Sequence, residues 1–204
     1  MFNLNELFAK YNIKATGLIH VGAWWGAEHP IYKSLNINKM AYFEPLRENF
    51  IKLRENVGHD ARLYNYALGN EEKDVIMHVD SGNKQQSSSI LEAEYHTTLY
   101  PHITFERKQR VKMKRLDSYA FSKEYNFMCI DVQGYELEVF KGAEKTLNNI
   151  NYIICEVHKV ETYKNCARIE EIDTFLKAYN LIRVEELWYA SHQYTSGDAF
   201  YIKT

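Results

Sequence analysis

Apolar residues in this chain fall into short unbroken runs that alternate with stretches of helical spacing. Leu18, Ile19 and Val21, then Met40-Ala41-Tyr42-Phe43, Phe127-Met128-Cys129-Ile130 and Tyr152-Ile153-Ile154-Cys155 read as strands, the last two as buried ones. Leu46, Phe50, Leu53 and Val57 recur at steps of four, three and four, the spacing of a helix with one apolar side. Leu137, Val139, Phe140, Ala143 and Leu147 predict a second such helix running on from Tyr135, and Ile169, Ile172, Phe175, Leu176 and Tyr179 predict a third near Arg168–Tyr179. The pattern adds an amphipathic lead-in helix over Phe2–Tyr11, a helix near Glu28–Leu35, and strands near Arg62–Ala67 and Asp74–Val79. Two last strands, Leu181–Leu187 and Ala199–Ile202, flank a polar loop holding His192 and Gly197. Strands alternating with helices predict an α/β fold with a mainly parallel sheet, to which the closing hairpin adds an antiparallel edge. With no repeat and no low-complexity linker, the expectation is one domain over residues 1–204, of which 1–16 form the lead-in.

The segment GLIHVGAWWGAEHPIY carries the most information. Gly22 lets the chain turn sharply at the end of the first strand, and Gly26 lets the following segment pack close to a ligand. Glu44 closes the second strand, where a carboxylate about 20 residues beyond a glycine loop accepts hydrogen bonds from ribose hydroxyls. Two glycines alone make only a tight strand-to-helix turn. Here Pro45 at the expected first helical position, the amphipathic helix and a stop at Gly58 complete a βαβ unit, which favours a nucleotide-like ligand.

Composition narrows the classes of function. The formal net charge of −2 gives no general attraction to nucleic acid or to an anionic membrane. Arg107, Lys108, Arg110, Lys112, Lys114 and Arg115 alternate with Val111 and Met113 as on a strand with one wet face, read as a charged face that discourages edge pairing. Cys129, Cys155 and Cys166 form no CxxC pair or zinc spacing and read as buried reduced thiols. No apolar run approaches the ~20 residues of a membrane span, and the start lacks the marks of a secretory signal. A soluble, cytoplasmic protein is expected.

Taken in order, HVGAWWG, FEP, SSSIL, CIDVQGYELEVFKGAE, ICEVH and GDAFYIK give a chain that resembles the FkbM family of S-adenosylmethionine-dependent methyltransferases. The resemblance runs from Gly17 to Lys203 and is most specific over Ile130–Glu144. It implies the class I methyltransferase (Rossmann-like) sheet of seven strands in the order 3-2-1-4-5-7-6, strand 7 antiparallel. It also implies that Gly22, Ala23 and Gly26 surround the methionine part of S-adenosylmethionine and that Glu44 holds the ribose. Ala67 and Leu68 would border the adenine, the Ser87–Ser89 loop with Ser88 and Ser89 would approach the same pocket, and Asp131 would lie beside the methyl-transfer centre. His20 stands among these cofactor-site positions where many relatives carry an aspartate, and reads first as a packed histidine. Trp24 and Trp25 are candidates to face the sulfonium cation.

Methyl transfer to a hydroxyl needs in-line positioning and a route for the proton. Asp131, Glu156 and His158 end neighbouring strands and are expected to face one crevice. Either His158 or Asp131 takes the proton, histidine having a pKa suited to neutrality, or Asp131 and Glu156 ligate Mg2+ or Mn2+. His96 is a second candidate base. The leading expectation is an O-methyltransferase acting on a sugar or glycan hydroxyl, with a small-molecule or glycan acceptor and no nucleic-acid partner; a homo-oligomer or a fusion to glycan-processing enzymes is compatible with it. The alternatives are a catalytically degenerate module of the same fold and, ranked lower for want of a full GxGxxG, an NAD-dependent oxidoreductase.

Overall fold

The computed structural model describes residues 2–204; residue 1, the first of the expected lead-in, lies outside them. Helix α1 (Leu4–Tyr11) leads into strand β1 (Gly17–Val21), followed by α2 (His29–Ser34), β2 (Lys39–Phe43), α3 (Arg47–Val57) and β3 (Arg62–Tyr64). Then come β4 (Ala67–Leu68), β5 (Lys73–Val79), α4 (Tyr95–Leu99) and β6 (Arg107–Lys114). The last part holds β7 (Phe127–Ile130), α5 (Glu136–Lys141), α6 (Glu144–Leu147), β8 (Tyr152–His158), α7 (Ile169–Lys177), β9 (Leu181–Trp188) and β10 (Ser196–Lys203).

Seven strands form one sheet in the order β3-β2-β1-β7-β8-β10-β9. These labels differ from a plain 3-2-1-4-5-7-6 because β4, β5 and β6 leave to build a second sheet; counted within the large sheet, its strands run 3-2-1-4-5-7-6. All its pairings are parallel except those of β10, which runs antiparallel to both β8 and β9. Alternate residues feed opposite layers, as a pleated strand requires. Ile19, Met128, Ile130, Ile153 and Tyr201 join α5, α6 and α7 in one core. Leu18, Phe127, Cys129, Ile154 and Phe200 join α1, α2 and α3 in the other. Both faces of the central strands are thus dry, which is why those strands read as continuous apolar runs rather than as alternating ones.

Several expectations are corrected by the backbone. The helix expected to start at Pro45 starts at Arg47, with extended Leu46 as its N-cap residue. The strand expected over Arg62–Ala67 splits, Arg62–Tyr64 pairing with β2 and Ala67–Leu68 with β6. Gly197, expected in a loop, lies within β10. The basic stretch does not guard an edge: β6 is the central strand of the second sheet, between β4 and β5, with Val111 and Met113 turned into a small core and Arg107 paired with Glu48. All three cysteines are buried and unpaired. No helix among the described residues is long and apolar enough to cross a membrane.

The helix expected to run unbroken to Leu147 stops at Lys141 and restarts at Glu144. Gly142 explains the break, since a Cβ there would sit 1.9 Å from the Gly69 carbonyl oxygen. Its own carbonyl accepts the Asp117 N–H at 3.0 Å, tying the turn to the segment after β6. Gly142→Ala must therefore push two backbones apart, an overpacking that costs about 1–3 kcal/mol or more. The expected result is a melting temperature lower by roughly 3–10 °C for a chain of this size; an unchanged midpoint in a thermal scan would show that the contact is not tight in solution.

Candidate active site

The carboxyl ends of β1, β2 and β7 meet at the glycine turn. Gly22 has φ +78°, and a Cβ on it would lie 1.8 Å from the Asp131 carbonyl oxygen. The Phe43 carbonyl accepts the N–H groups of both Gly22 and Ala23 at 3.0 Å, and the Val21 carbonyl accepts Asp131 N–H at 3.0 Å. Around this junction opens a cavity of about 870 Å³, counted to its open mouth. Its wall includes His20, Gly22, Ala23, Trp24, Glu44, Ala67, Leu68, Ser88 and Asp131 from the expected set. Tyr66, Met77, Gln85, Gln133 and Tyr135, which sequence reasoning did not single out, also line it.

Glu44 is buried, and its two oxygens are each engaged with main chain: Oε2 accepts Trp24 N–H at 3.0 Å and Oε1 accepts Leu46 N–H at 2.9 Å. It clamps the glycine turn to the start of α3, leaving lone pairs for further donors. Burial nevertheless dominates these bonds and raises its pKa to about 8. Trp24 is held at φ 47°, a left-handed conformation that costs a bulky residue energy and clusters at functional sites. Its indole donates to the Lys84 carbonyl at 2.9 Å, reaching the serine loop. Trp25 stacks on Trp24 at 4.0 Å with Lys52 over its outer face, and forms no part of the cavity wall.

The serine loop is shaped by Asp80, a residue that sequence reasoning missed. Its carboxylate accepts the N–H groups of Asn83, Gln85 and Ser87 at 2.9, 3.2 and 2.7 Å. Ser88 borders the cavity, whereas Ser89 is fully buried beside it and donates to the Gln133 carbonyl at 2.7 Å. Gly26 also stands off the cavity. A Cβ there would come within 2.7 Å of the Leu53 side chain, so the structure gives Gly26 the close packing of α3. His20 both lines the cavity and packs edge-on to Tyr32, and burial lowers its pKa to about 4.

Behind the cavity lies a polar cluster drawn from the turn between β7 and α5, the start of α5, the end of β8, Tyr163 and β10. Gln133, at φ 58°, donates its amide to Asp131 Oδ1 at 2.7 Å and to Glu156 Oε2 at 2.8 Å, while Tyr163 donates to its Oε1 at 2.6 Å. The Gln133 amide thus bridges Asp131 and Glu156, whose carboxyl groups also meet one another directly. Asp131 is raised from the usual carboxylate range by burial, and Glu156 well above it by burial and then by Asp131 itself. Glu136 accepts the N–H groups of Val132 and Gly134 at 3.0 and 3.1 Å, and burial takes its pKa to about 7.

His158 is almost completely buried, its Nδ1 on Ser196 Oγ at 3.0 Å and its Nε2 without a hydrogen-bond partner, 3.8 Å from Glu156 Oε2. His96 sits on α4, a helix that the pattern did not predict, packed against Phe105 and Tyr163 with Nδ1 unpartnered. Burial lowers both histidines to about 4, which removes the reason for preferring them as bases near neutrality. Neither histidine, nor Glu156, forms part of the cavity wall; Asp131 does. Among the described residues, Glu136, Glu156 and His158 form a group whose ligand atoms converge within 4.8 Å; Glu156 of the expected metal pair belongs to it, and Asp131 does not.

A glycine turn, a strand-end acid and a cavity beyond the carboxyl edge of a 3-2-1-4-5-7-6 sheet define the class I methyltransferase architecture. The chain belongs to the FkbM methyltransferase domain family, whose model matches residues 20–182. It is 26% identical over 150 residues to the 2-O-methyltransferase NoeI of Sinorhizobium fredii, an alignment covering 69% of this chain and 62% of that protein. Solved structures share the fold at low identity. Magnesium protoporphyrin IX methyltransferase from Synechocystis with bound SAM superposes with a TM-score of 0.57 at 9% identity, covering 98% of this chain and 76% of that one. The Burkholderia thailandensis 1,6-didemethyltoxoflavin-N1-methyltransferase with bound S-adenosylhomocysteine gives a TM-score of 0.53 at 9% identity over the same shares.

The raised pKa of Glu44 has a consequence for stability. The folded state holds the Glu44 proton more tightly than the unfolded chain does, so its contribution is full below the ordinary value of 4.5 and is lost as pH rises toward about 8. Wild type should therefore lose stability across that window more steeply than Glu44→Gln, by an amount on the order of a few kcal/mol. Chemical denaturation at pH 5 and pH 8.5 measures both slopes, and equal slopes would remove the buried-acid description.

Proposed function

We propose that this chain is an S-adenosylmethionine-dependent O-methyltransferase acting on a sugar or glycan hydroxyl. The observation that carries the reading is the cavity wall, which joins the Gly22–Trp24 turn and Glu44 to Asp131. The cofactor would extend from the turn toward Ala67 and Leu68, with Glu44 on the ribose hydroxyls and the methyl group directed to Asp131. The ligands named for similar folds support the cofactor, and the named activity of the 26% identical relative supports transfer to oxygen.

Asp131 is the general base in this reading. It is the carboxylate of the rear cluster that reaches the cavity, and its raised pKa makes it a better proton acceptor than an ordinary aspartate. Gln133 would position it through the 2.7 Å amide bond. The acceptor hydroxyl needs in-line approach to the methyl group, and orientation by the wall supplies much of the rate.

Calorimetric titration with S-adenosylmethionine and, separately, NAD tests the cofactor; saturable binding of the former alone is expected. Glu44→Ala should weaken it roughly tenfold or more, the value of one or two hydrogen bonds, and NAD binding alone would overturn the reading. With sugar acceptors screened by mass spectrometry for methyl addition, Asp131→Asn should lower kcat by about 10²–10⁴ while cofactor affinity stays within a few fold. Wild-type turnover in folded Asp131→Asn would remove Asp131 from the mechanism.

A further inference from the structure

We infer that Glu136, Glu156 and His158 form a binding site for one divalent first-row transition ion behind the cofactor cavity. Each residue offers one ligand atom, and the three atoms lie within 4.8 Å of one another. In a tetrahedral site with metal–ligand bonds of about 2.0–2.2 Å, ligand atoms stand roughly 3.3–3.6 Å apart. The 3.8 Å from His158 Nε2 to Glu156 Oε2 is already close to that figure, so side-chain adjustments of about 1 Å would bring the three protein ligands to that spacing, with a water as the fourth ligand.

The acids alone would not make a site. His158 Nε2 is the independent observation. Its side chain is 1% exposed, its Nε2 has no hydrogen-bond partner, and 3.8 Å is too long for a hydrogen bond to Glu156. A buried nitrogen left unsatisfied costs about 1–3 kcal/mol unless something else occupies its lone pair. The other ring nitrogen is already committed, Nδ1 lying 3.0 Å from Ser196 Oγ, which in turn meets Thr162 Oγ1 at 3.3 Å. With Nδ1 as the N–H donor to Ser196, Nε2 carries the lone pair toward the two carboxylates, the outer-shell arrangement of a metal-ligating histidine. The glutamates are braced in the same way, Glu156 by the Gln133 amide at 2.8 Å and Glu136 by the N–H groups of Val132 and Gly134.

The donor set selects the ion. One imidazole with two carboxylates in a dry setting suits Zn2+ or Mn2+, whereas Mg2+ keeps several waters and seeks oxygen ligands in an open octahedral shell. This site differs from the cofactor cavity, and its occupancy is measured without cofactor or acceptor.

The test is calorimetric titration of the chelator-treated 204-residue chain with ZnCl2, MnCl2 and MgCl2. One-to-one binding is expected, with Zn2+ and Mn2+ at least tenfold tighter than Mg2+. His158→Gln should abolish it, and Ser196→Ala, which leaves every ligand in place, should weaken it 10–100-fold. His96→Gln, altering the other buried histidine with an unpartnered nitrogen, should leave it unchanged. Absence of saturable binding in folded wild type would overturn the inference, as would binding that survives both His158→Gln and Ser196→Ala. S-adenosylmethionine titrated into the same samples separates this outcome from failure of the methyltransferase reading, since cofactor binding without metal binding defeats the metal site alone.

Discussion

The approach of Gly22 to the Asp131 carbonyl oxygen, 1.8 Å from where a Cβ would lie, governs the whole carboxyl edge of the large sheet. β1 and β7 pair in parallel up to Val21 and Ile130, and one further bond from Asp131 N–H to the Val21 carbonyl carries the ladder into the turn. Only a residue without a side chain lets both chains continue at that separation. The same turn hands its next two N–H groups to Phe43 of β2, and Trp24 N–H goes to Glu44. Three strand ends are thus tied by main-chain bonds, which bring Glu44 and Asp131 to the border of one cavity.

That arrangement concentrates acids in a dry place. Glu44, Glu136 and Glu156 are buried, and Asp198 of β10 lies opposite Glu156 in register with the Tyr189 hydroxyl on its carboxylate. Desolvation disfavours each charge, and neighbouring charges add to the cost. Such a cluster is consistent with selection for a site rather than for stability, since apolar residues of similar volume would pack without it. The amide of Gln133 moderates the strain by donating to two of the carboxylates at once, which a carboxylate in its place could not do.

Much of the fold was legible because its signals are local. Strands dry on both faces announce themselves as unbroken apolar runs, and the glycine turn and Glu44 follow from backbone and spacing rules that hold within one βαβ unit. The second sheet was not legible as a separate body. Its strands were partly seen, but Ala67 pairs with Met113 and Lys73 with the same residue from the other side, contacts between segments far apart in the chain. The break at Gly142 was hidden for the same reason, since the obstructing atom belongs to Gly69. The histidines illustrate a different limit. Residue type suggests neutral-pH bases, but burial sets the protonation state, and burial of His96 and His158 depends on Phe105, Tyr163 and Ser196 arriving from other elements.

Gln133 marks where local motif and tertiary structure meet. It follows Asp131 by two positions and precedes Glu136 by three, so an ordinary strand-to-helix connection would scatter the three side chains. Left-handed backbone at Gln133 and at Gly134, with φ 58° and 96°, folds the segment tightly enough for Glu136 to accept the N–H groups of Val132 and Gly134. Gly134 is confined in turn, since a Cβ there would lie 2.9 Å from the Cys166 side chain. Held in this turn, Asp131 faces the cavity, Gln133 spans Asp131 and Glu156, and Glu136 converges with Glu156 and His158. A single strained turn therefore joins the cavity that would bind the cofactor to the acid and histidine cluster behind it, with Asp131 and Glu156 sharing one Gln133 amide across that boundary.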